Sequence, residues 1–281
     1  MIKKIEDRFN IIYRYQLPFI FSWFRRKKPN HQIKKIYFYP NLPHKRTILY
    51  KICKHLGIRI ARSSKGEKQI SFFWDDSTKF ENTNLIDSRS LNSECIDISK
   101  HKVDTVFKNV FGYDLSINPK QFIGECVVKS DENAKHDGRI IQCPIKEAEP
   151  DVVYQKLIDN KIDDNFVRDL RAPIIGNDIP LVYYKIKTTE LRFTNEIDRV
   201  EVHQTSTVFN DNEVESILNF SKAMGLDYGE LDILRDNENN KIYIVDVNKT
   251  PWGPPNTITK EKANYVIEKM SESFLSMLFD F

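Results

Sequence analysis

Three oxygen-bearing side chains near the C-terminus have the types and spacing to hold a metal-bound phosphate. In Ile242-Tyr243-Ile244-Val245-Asp246-Val247-Asn248, the period of a strand predicts that Ile242, Ile244, Asp246 and Asn248 share one face. Asp246 and Asn248 then point the same way. A preceding strand, Glu230 to Leu234, carries Asp232, and the turn-forming run Asp236 to Asn240 is short enough to bring that carboxylate beside the other two. Hard oxygens of this kind suit magnesium, which takes one or two carboxylates and completes its shell with water and nucleotide phosphates. An acid inside an otherwise apolar strand also needs a partner, because an unpaired buried charge is costly.

The run Gly225-Leu226-Asp227-Tyr228-Gly229-Glu230-Leu231-Asp232, followed by Val245-Asp246-Val247-Asn248-Lys249-Thr250-Pro251, resembles the C-terminal lobe of the ATP-grasp superfamily. The resemblance implies ATP and Mg2+ as cofactors, with Asp232, Asp246 and Asn248 on the magnesium ligands. Most of the family has Glu where this chain has Asp246. Val127-Val128-Lys129 resembles the strand whose Lys contacts nucleotide phosphates, and Ser130 to Gly138 stands where the family has its phosphate-covering loop. That loop is normally glycine-rich. Here it has one Gly and several charges, so Lys135 or His136 is expected to supply positive charge through a side chain. Around Gln155, Lys156 and Leu157 the chain resembles the hinge whose backbone bonds the adenine edge. Asp169-Leu170-Arg171 resembles the family's Asp-x-Arg, which puts Arg171 toward phosphate or substrate, with Lys185 and Arg192 as further basic groups. Lys100 matches the early nucleotide Lys, with Lys102 and Lys108 as competitors.

In most of the superfamily a substrate carboxylate becomes an acyl phosphate that an amine captures; in a minority the acceptor is a hydroxyl. The resemblance therefore implies an ATP-dependent ligase, with a kinase or a non-catalytic nucleotide-binding scaffold as alternatives. Similar proteins of surface-polysaccharide pathways suggest a small-molecule or glycan-linked substrate.

The elements that must position these residues are legible from hydrophobic period. Ile36 to Tyr39 reads as a strand, Ile48 to Leu56 as a helix ended by Gly57, and Ile58 to Ala61 and Gln69 to Trp74 as further strands. This is a small βαβ unit with a parallel sheet. A helix through Val103, Val106 and Phe107 follows, then a hairpin of Glu125 to Lys129 with Arg139 to Gln142, and a strand at Val152 to Leu157. Phe166 to Ala172 and Leu181 to Lys187 read as an antiparallel pair around Gly176-Asn177-Asp178. A helix ends at Gly225, two strands carry the acids, and a last helix starts at Thr259. The expected class is α+β: a two-lobed ATP-grasp core behind a small α/β domain. The expected boundaries are an aromatic and basic lead segment at 1–33, the α/β domain at 34–98, and lobes at 99–165 and 166–281.

Composition excludes little else. Among 281 residues, 43 basic and 40 acidic side chains leave a formal charge of +3, so no global field demands a nucleic-acid partner. Lys3, Lys4 and Arg25 to Lys28 with nearby aromatics leave single-strand binding as a third reading. Cys53, Cys95, Cys126 and Cys143 include no CxxC pair, which argues against structural zinc or a disulfide scaffold and fits a reducing cytoplasm. The apolar stretch Leu17 to Phe24 is far shorter than the roughly 20 residues that span a bilayer, and its charges follow it, unlike a signal peptide. Residues 9–28 are expected to pack on the body of the protein, with a minor possibility of membrane contact.

Overall fold

The computed structural model describes residues 33–62, 70–82, 84, 87 and 90–281. The expectation for residues 9–28 lies outside these. The described chain begins with a parallel sheet of order β2-β1-β3, made of β1 (Lys35–Pro40), β2 (Arg59–Ala61) and β3 (Ile70–Trp74). Helix α1 (Ile48–Leu56) makes the crossover. It starts where Thr47 Oγ1 accepts from the Tyr50 amide and ends at Gly57, whose φ of 72° is the left-handed conformation that a glycine takes without strain.

Helix α2 (Lys100–Phe111), capped by Ser99, leads into an antiparallel sheet of order β5-β4-β6: β4 (Gly124–Ser130), β5 (Arg139–Cys143) and β6 (Val152–Lys156). A third sheet, order β11-β10-β7-β8-β9, collects β7 (Phe166–Ile175), β8 (Val182–Thr188), β9 (Arg199–His203), β10 (Tyr228–Arg235) and β11 (Ile242–Asn248). Helices α3 (Asp211–Ala223) and α4 (Lys260–Asp280) complete the fold. Edge strand β9 is absent from the sequence expectation, although its five residues, Arg-Val-Glu-Val-His, alternate polar and apolar as a half-buried strand does.

Two large cores hold the sheets in place. One joins Ile36, Phe38, Ile48 and Phe72 of the parallel unit to Tyr183 on β8, Tyr228 on β10 and Met270 and Phe274 on α4. The other packs α2 and α3 on the third sheet through Val103, Phe107, Ile217, Phe220, Leu231, Ile233, Ile244 and Val247. The parallel sheet is thus fastened to the third sheet by buried apolar area, the dominant favourable term in folding.

One expectation is corrected here. Asp232 pairs with Asp246, but the next pair is Ile233 with Ile244, so Val245 is an extra residue in β11. This bulge resets the alternation. Ile244 faces the core opposite Ile233, while Asp246 and Asn248 lie on the other face opposite Asp232 and Glu230. The two site residues share a face, as the period predicts, but Ile242 and Ile244 do not share it with them.

Candidate active site

Asp232 sits in the middle of a charged sheet face. It pairs with Asp246 on one side and with Arg171 on the other. Arg171 binds it in fork geometry, Nε donating to Oδ1 at 2.7 Å and Nη2 to Oδ2 at 2.9 Å, and Lys185 Nζ lies 3.4 Å from Oδ1. Burial alone would raise the Asp232 pKa, but Arg171 and then Lys185 hold its carboxyl well below the usual carboxylate range. Burial lowers the Lys185 ammonium, partly opposed by Asp232.

Glu230 shares this face, two residues before Asp232, and is 2% exposed. Burial pushes its carboxyl up to about 7 against the pull of Arg171. Its Oε2 lies 3.3 Å from Arg171 Nη1, yet the geometry gives that oxygen no hydrogen bond. The sequence expectation gives Glu230 no role. The signal was available in its i−2 spacing from Asp232.

The other wall carries cations. Lys100, at the start of α2, donates from Nζ to Asp246 Oδ1 at 2.6 Å and reaches Asn133 Oδ1 at 3.4 Å. Lys129 on β4 donates to the carbonyl of the bulged Val245 at 3.1 Å. Burial and then Lys100 bring the Lys129 ammonium down to about 8, against Asp246, Asp104 and Asp232. Asp104, one helical turn after Lys100, accepts from Gln155 Nε2 at 2.6 Å, and burial pushes its carboxyl up to about 6. Neither Asp104 nor the side chain of Gln155 figured in the sequence reading. The second sheet and α2 therefore present Lys100 and Lys129 to the oxygen-rich face of the third sheet.

The remaining candidates lie outside this cluster. Arg192 Nη2 donates to Ile158 O at 3.1 Å and Asn160 Oδ1 at 2.9 Å, which ties it to the connection between β6 and β7. Asn160 in turn bonds Asp169, whose other oxygen is 3.1 Å from Lys187 Nζ. His136 is exposed on the loop, with φ of 53°. Lys135 is also exposed and pairs with Glu132 at 2.6 Å. Lys102 and Lys108 lie on α2, and Lys108 pairs with Asp114. Lys156 donates its backbone N–H to Leu115 O at 2.9 Å, while Leu157 follows directly after β6.

The donor set suits a hard divalent cation. Asp232 and Asp246 offer carboxylate oxygens and Asn248 an amide oxygen, and the buried Glu230 Oε2, without a hydrogen bond, is a further oxygen on the same face. Among the described residues no group of three or more His, Cys, Asp or Glu side chains is gathered closely enough to hold a metal by itself. Asn248 and nucleotide phosphates would therefore have to complete the shell. Cys126 and Cys143, far apart in sequence, lie with sulfurs 3.2 Å apart in the β4–β5 hairpin, and both are free thiols.

No protein-family model and no curated protein sequence matches this chain. Among solved structures, D-alanine–D-alanine ligase from Bacillus anthracis superimposes over 88% of this chain and 96% of its own, at 11% identity and TM-score 0.50. The chain has the ATP-grasp fold. An L-amino acid ligase from Bacillus licheniformis aligns over 85% of this chain and 71% of its own, at 11% identity and TM-score 0.48. The ATP-grasp ligase PsnB, solved with a minimal precursor, aligns at 14% identity and TM-score 0.46, and the chain spans 64% of its length. Lys129 of the second sheet and Lys100 of α2 meet Val245 and Asp246 of the third sheet. No described helix of this ATP-grasp chain is long and apolar enough to cross a membrane.

Proposed function

We propose that the chain is an ATP-dependent ligase that activates a carboxylate as an acyl phosphate and transfers the acyl group to an amine. The observation that carries this reading is the meeting of Lys100 and Lys129 with Asp246 and its bulged neighbour Val245, across 2.6 and 3.1 Å. Cations from one wall and carboxylates from the other are what a metal-bound triphosphate needs.

Asp232, Asp246 and Asn248 would hold magnesium, which supplies charge neutralisation for the transferring phosphoryl group. Lys129 and Lys100 offset phosphate charge. Arg171, fixed by its fork to Asp232, presents a permanent cation beside the metal ligands, and Lys185 adds a second. The adenine edge would fall to the Lys156 carbonyl and the Leu157 amide, since the Lys156 amide already bonds Leu115. Arg192 holds the β6–β7 connection on which that edge rests. Catalysis of this kind is mostly alignment and electrostatic stabilisation.

The substrate is a carboxylate, with an amine as second partner. The D-alanine–D-alanine ligase named above makes amino acids candidate acceptors, and the glycan precursor suggested by sequence association stays in the panel. The test is an ATP-consumption screen over carboxylates, amines and sugars, reading ADP against AMP and the product mass. ADP with a new amide supports the ligase; a phosphorylated hydroxyl makes it a kinase. MgATP should raise the melting temperature by mass action and EDTA should remove most of the rise. No rise at millimolar MgATP would overturn the reading.

A further inference from the structure

Four residues beyond Asn248, Trp252 stands 56% exposed, the only tryptophan among the exposed large apolar side chains of the described residues. It is held rigidly there. The Ile48 amide donates to Pro251 O at 3.2 Å, the Gly253 amide donates to Arg46 O at 3.0 Å, and Lys51 Nζ donates to Gly253 O. Trp252 and Thr47 form an antiparallel bridge between these bonds. The loop after β11 is therefore stitched to the loop after β1. An exposed indole on a fixed backbone loses little freedom when something stacks on it, which is why Trp so often anchors binding sites.

Its surroundings select for charge. The His44 ring stacks on it at 5.6 Å and 19°, and the Arg46 guanidinium lies 5.4 Å from the ring centroid. Among the described residues no carboxylate forms an ion pair with Lys45 or Arg46. Arg46, without a carboxylate partner among the described residues, thus lies over an indole that is still 56% exposed.

Its place in the fold points to a ligand as well. From β1 the chain crosses to β2 on one side and later returns to β3 on the other, so the strand order reverses at the carboxyl end of β1. That end of a parallel sheet is where α/β folds bind ligands. Here it abuts the site: Asp75, just past β3, lies 3.5 Å from Lys249 Nζ, and the Thr250 amide donates to Asn248 Oδ1 at 3.0 Å. Trp252 Cα can be no farther than about 14 Å from that of Asn248, the reach of four residues.

We infer that Trp252, with His44 and Arg46, forms a specificity platform for a substrate that carries both a ring with an apolar face and an anionic group. The inference rests on the ligase reading, because it is the nearby phosphoryl site that makes the ligand a substrate. Ring faces stack on the indole beside His44, and the anion meets the Arg46 guanidinium. Sugar acids and aromatic acids share this chemistry.

The experiment is a titration of the full chain followed by tryptophan fluorescence and saturation-transfer NMR. The probes are glucuronate and benzoate, with glucose as a neutral ring and acetate as an anion without a ring. At least one ring acid should bind about tenfold tighter than both controls, and Trp252→Ala and Arg46→Gln should each weaken it by about tenfold. Preference for glucuronate assigns a sugar acid, and preference for benzoate an aromatic acid. Binding that is equal in wild type and both variants, or none for either ring acid at tens of millimolar, overturns the platform. The MgATP melting shift of the wild type, read on the same sample, separates the two ideas: a normal shift without ring-acid binding removes the platform alone, and no shift removes the ligase reading.

Discussion

Lys100 and Asp246 stand 146 residues apart and are joined by a 2.6 Å charged hydrogen bond that ties the start of α2 to the last strand of the third sheet. The Lys100 side chain is 8% exposed and the Asp246 side chain 28%. The pair therefore does two things. It places a metal-ligand candidate beside a candidate phosphate-binding cation, and it satisfies a nearly buried ammonium.

Asp246→Ala should therefore cost stability as well as turnover. Losing the carboxylate leaves Lys100 only the 3.4 Å contact to Asn133 Oδ1, for a loss of about 1–3 kcal/mol in urea unfolding. Adding Lys100→Met should return part of that loss, while ATP turnover stays at least about 10²-fold down in both proteins. Wild-type turnover in Asp246→Ala would remove it from the site.

Stability should respond to Glu230. Its pKa is near 7 in the folded chain against 4.5 in the unfolded one, so the folded state binds more protons between those values. The contribution is fully present below about 4.5 and is lost as pH rises through about 7. Relative to Glu230→Gln, the wild type should lose on the order of 3 kcal/mol between pH 4.5 and 8, an upper figure given the neighbouring Arg171. Parallel unfolding curves for the two proteins across that window would contradict the burial assigned to this carboxyl.

Gly229 is needed for close approach. A Cβ at this position would lie 2.7 Å from Asn248 O and 2.8 Å from Leu226 Cδ1. Gly229→Ala should push β11 away from β10, lowering stability by about 1–3 kcal/mol and weakening magnesium dependence. A melting temperature and a magnesium titration both equal to wild type would show that the strands yield without moving Asn248.

The loop between β4 and β5 should become protected when nucleotide binds. Its first half already rests on the parallel unit and α2: the Asn133 amide donates to Thr78 Oγ1 at 2.9 Å, and Asp131 Oδ1 accepts from the His101 amide at 2.9 Å. Its second half, with Lys135 and His136, is exposed. Hydrogen exchange with a non-hydrolysable ATP analogue should slow mainly in residues 134–138. Lys129→Ala should reduce turnover far more than Lys135→Ala or His136→Ala, since Lys129 lies on a strand among the site charges. Unchanged exchange and full activity in all three variants would remove the loop from the nucleotide site.

Local sequence determined most of the elements. Apolar periods of 2 and 3.6, the cap Thr259, and the stop glycines Gly57 and Gly225 act over a few residues, so they can be read without the fold. The same locality makes Asp246 and Asn248 neighbours on one strand face. The facing of that strand's first half was decided only by tertiary structure. The Val245 bulge depends on pairing with β10, and no local signal sets it. Charge partners were decided in the same way. The pairing of Arg171 with Asp232, of Lys100 with Asp246, and of Arg192 with the β6–β7 connection spans 32 to 146 residues. Abundant basic residues look alike in sequence, and they acquire distinct roles only when folding buries some against carboxylates and leaves others, such as Lys135, in water.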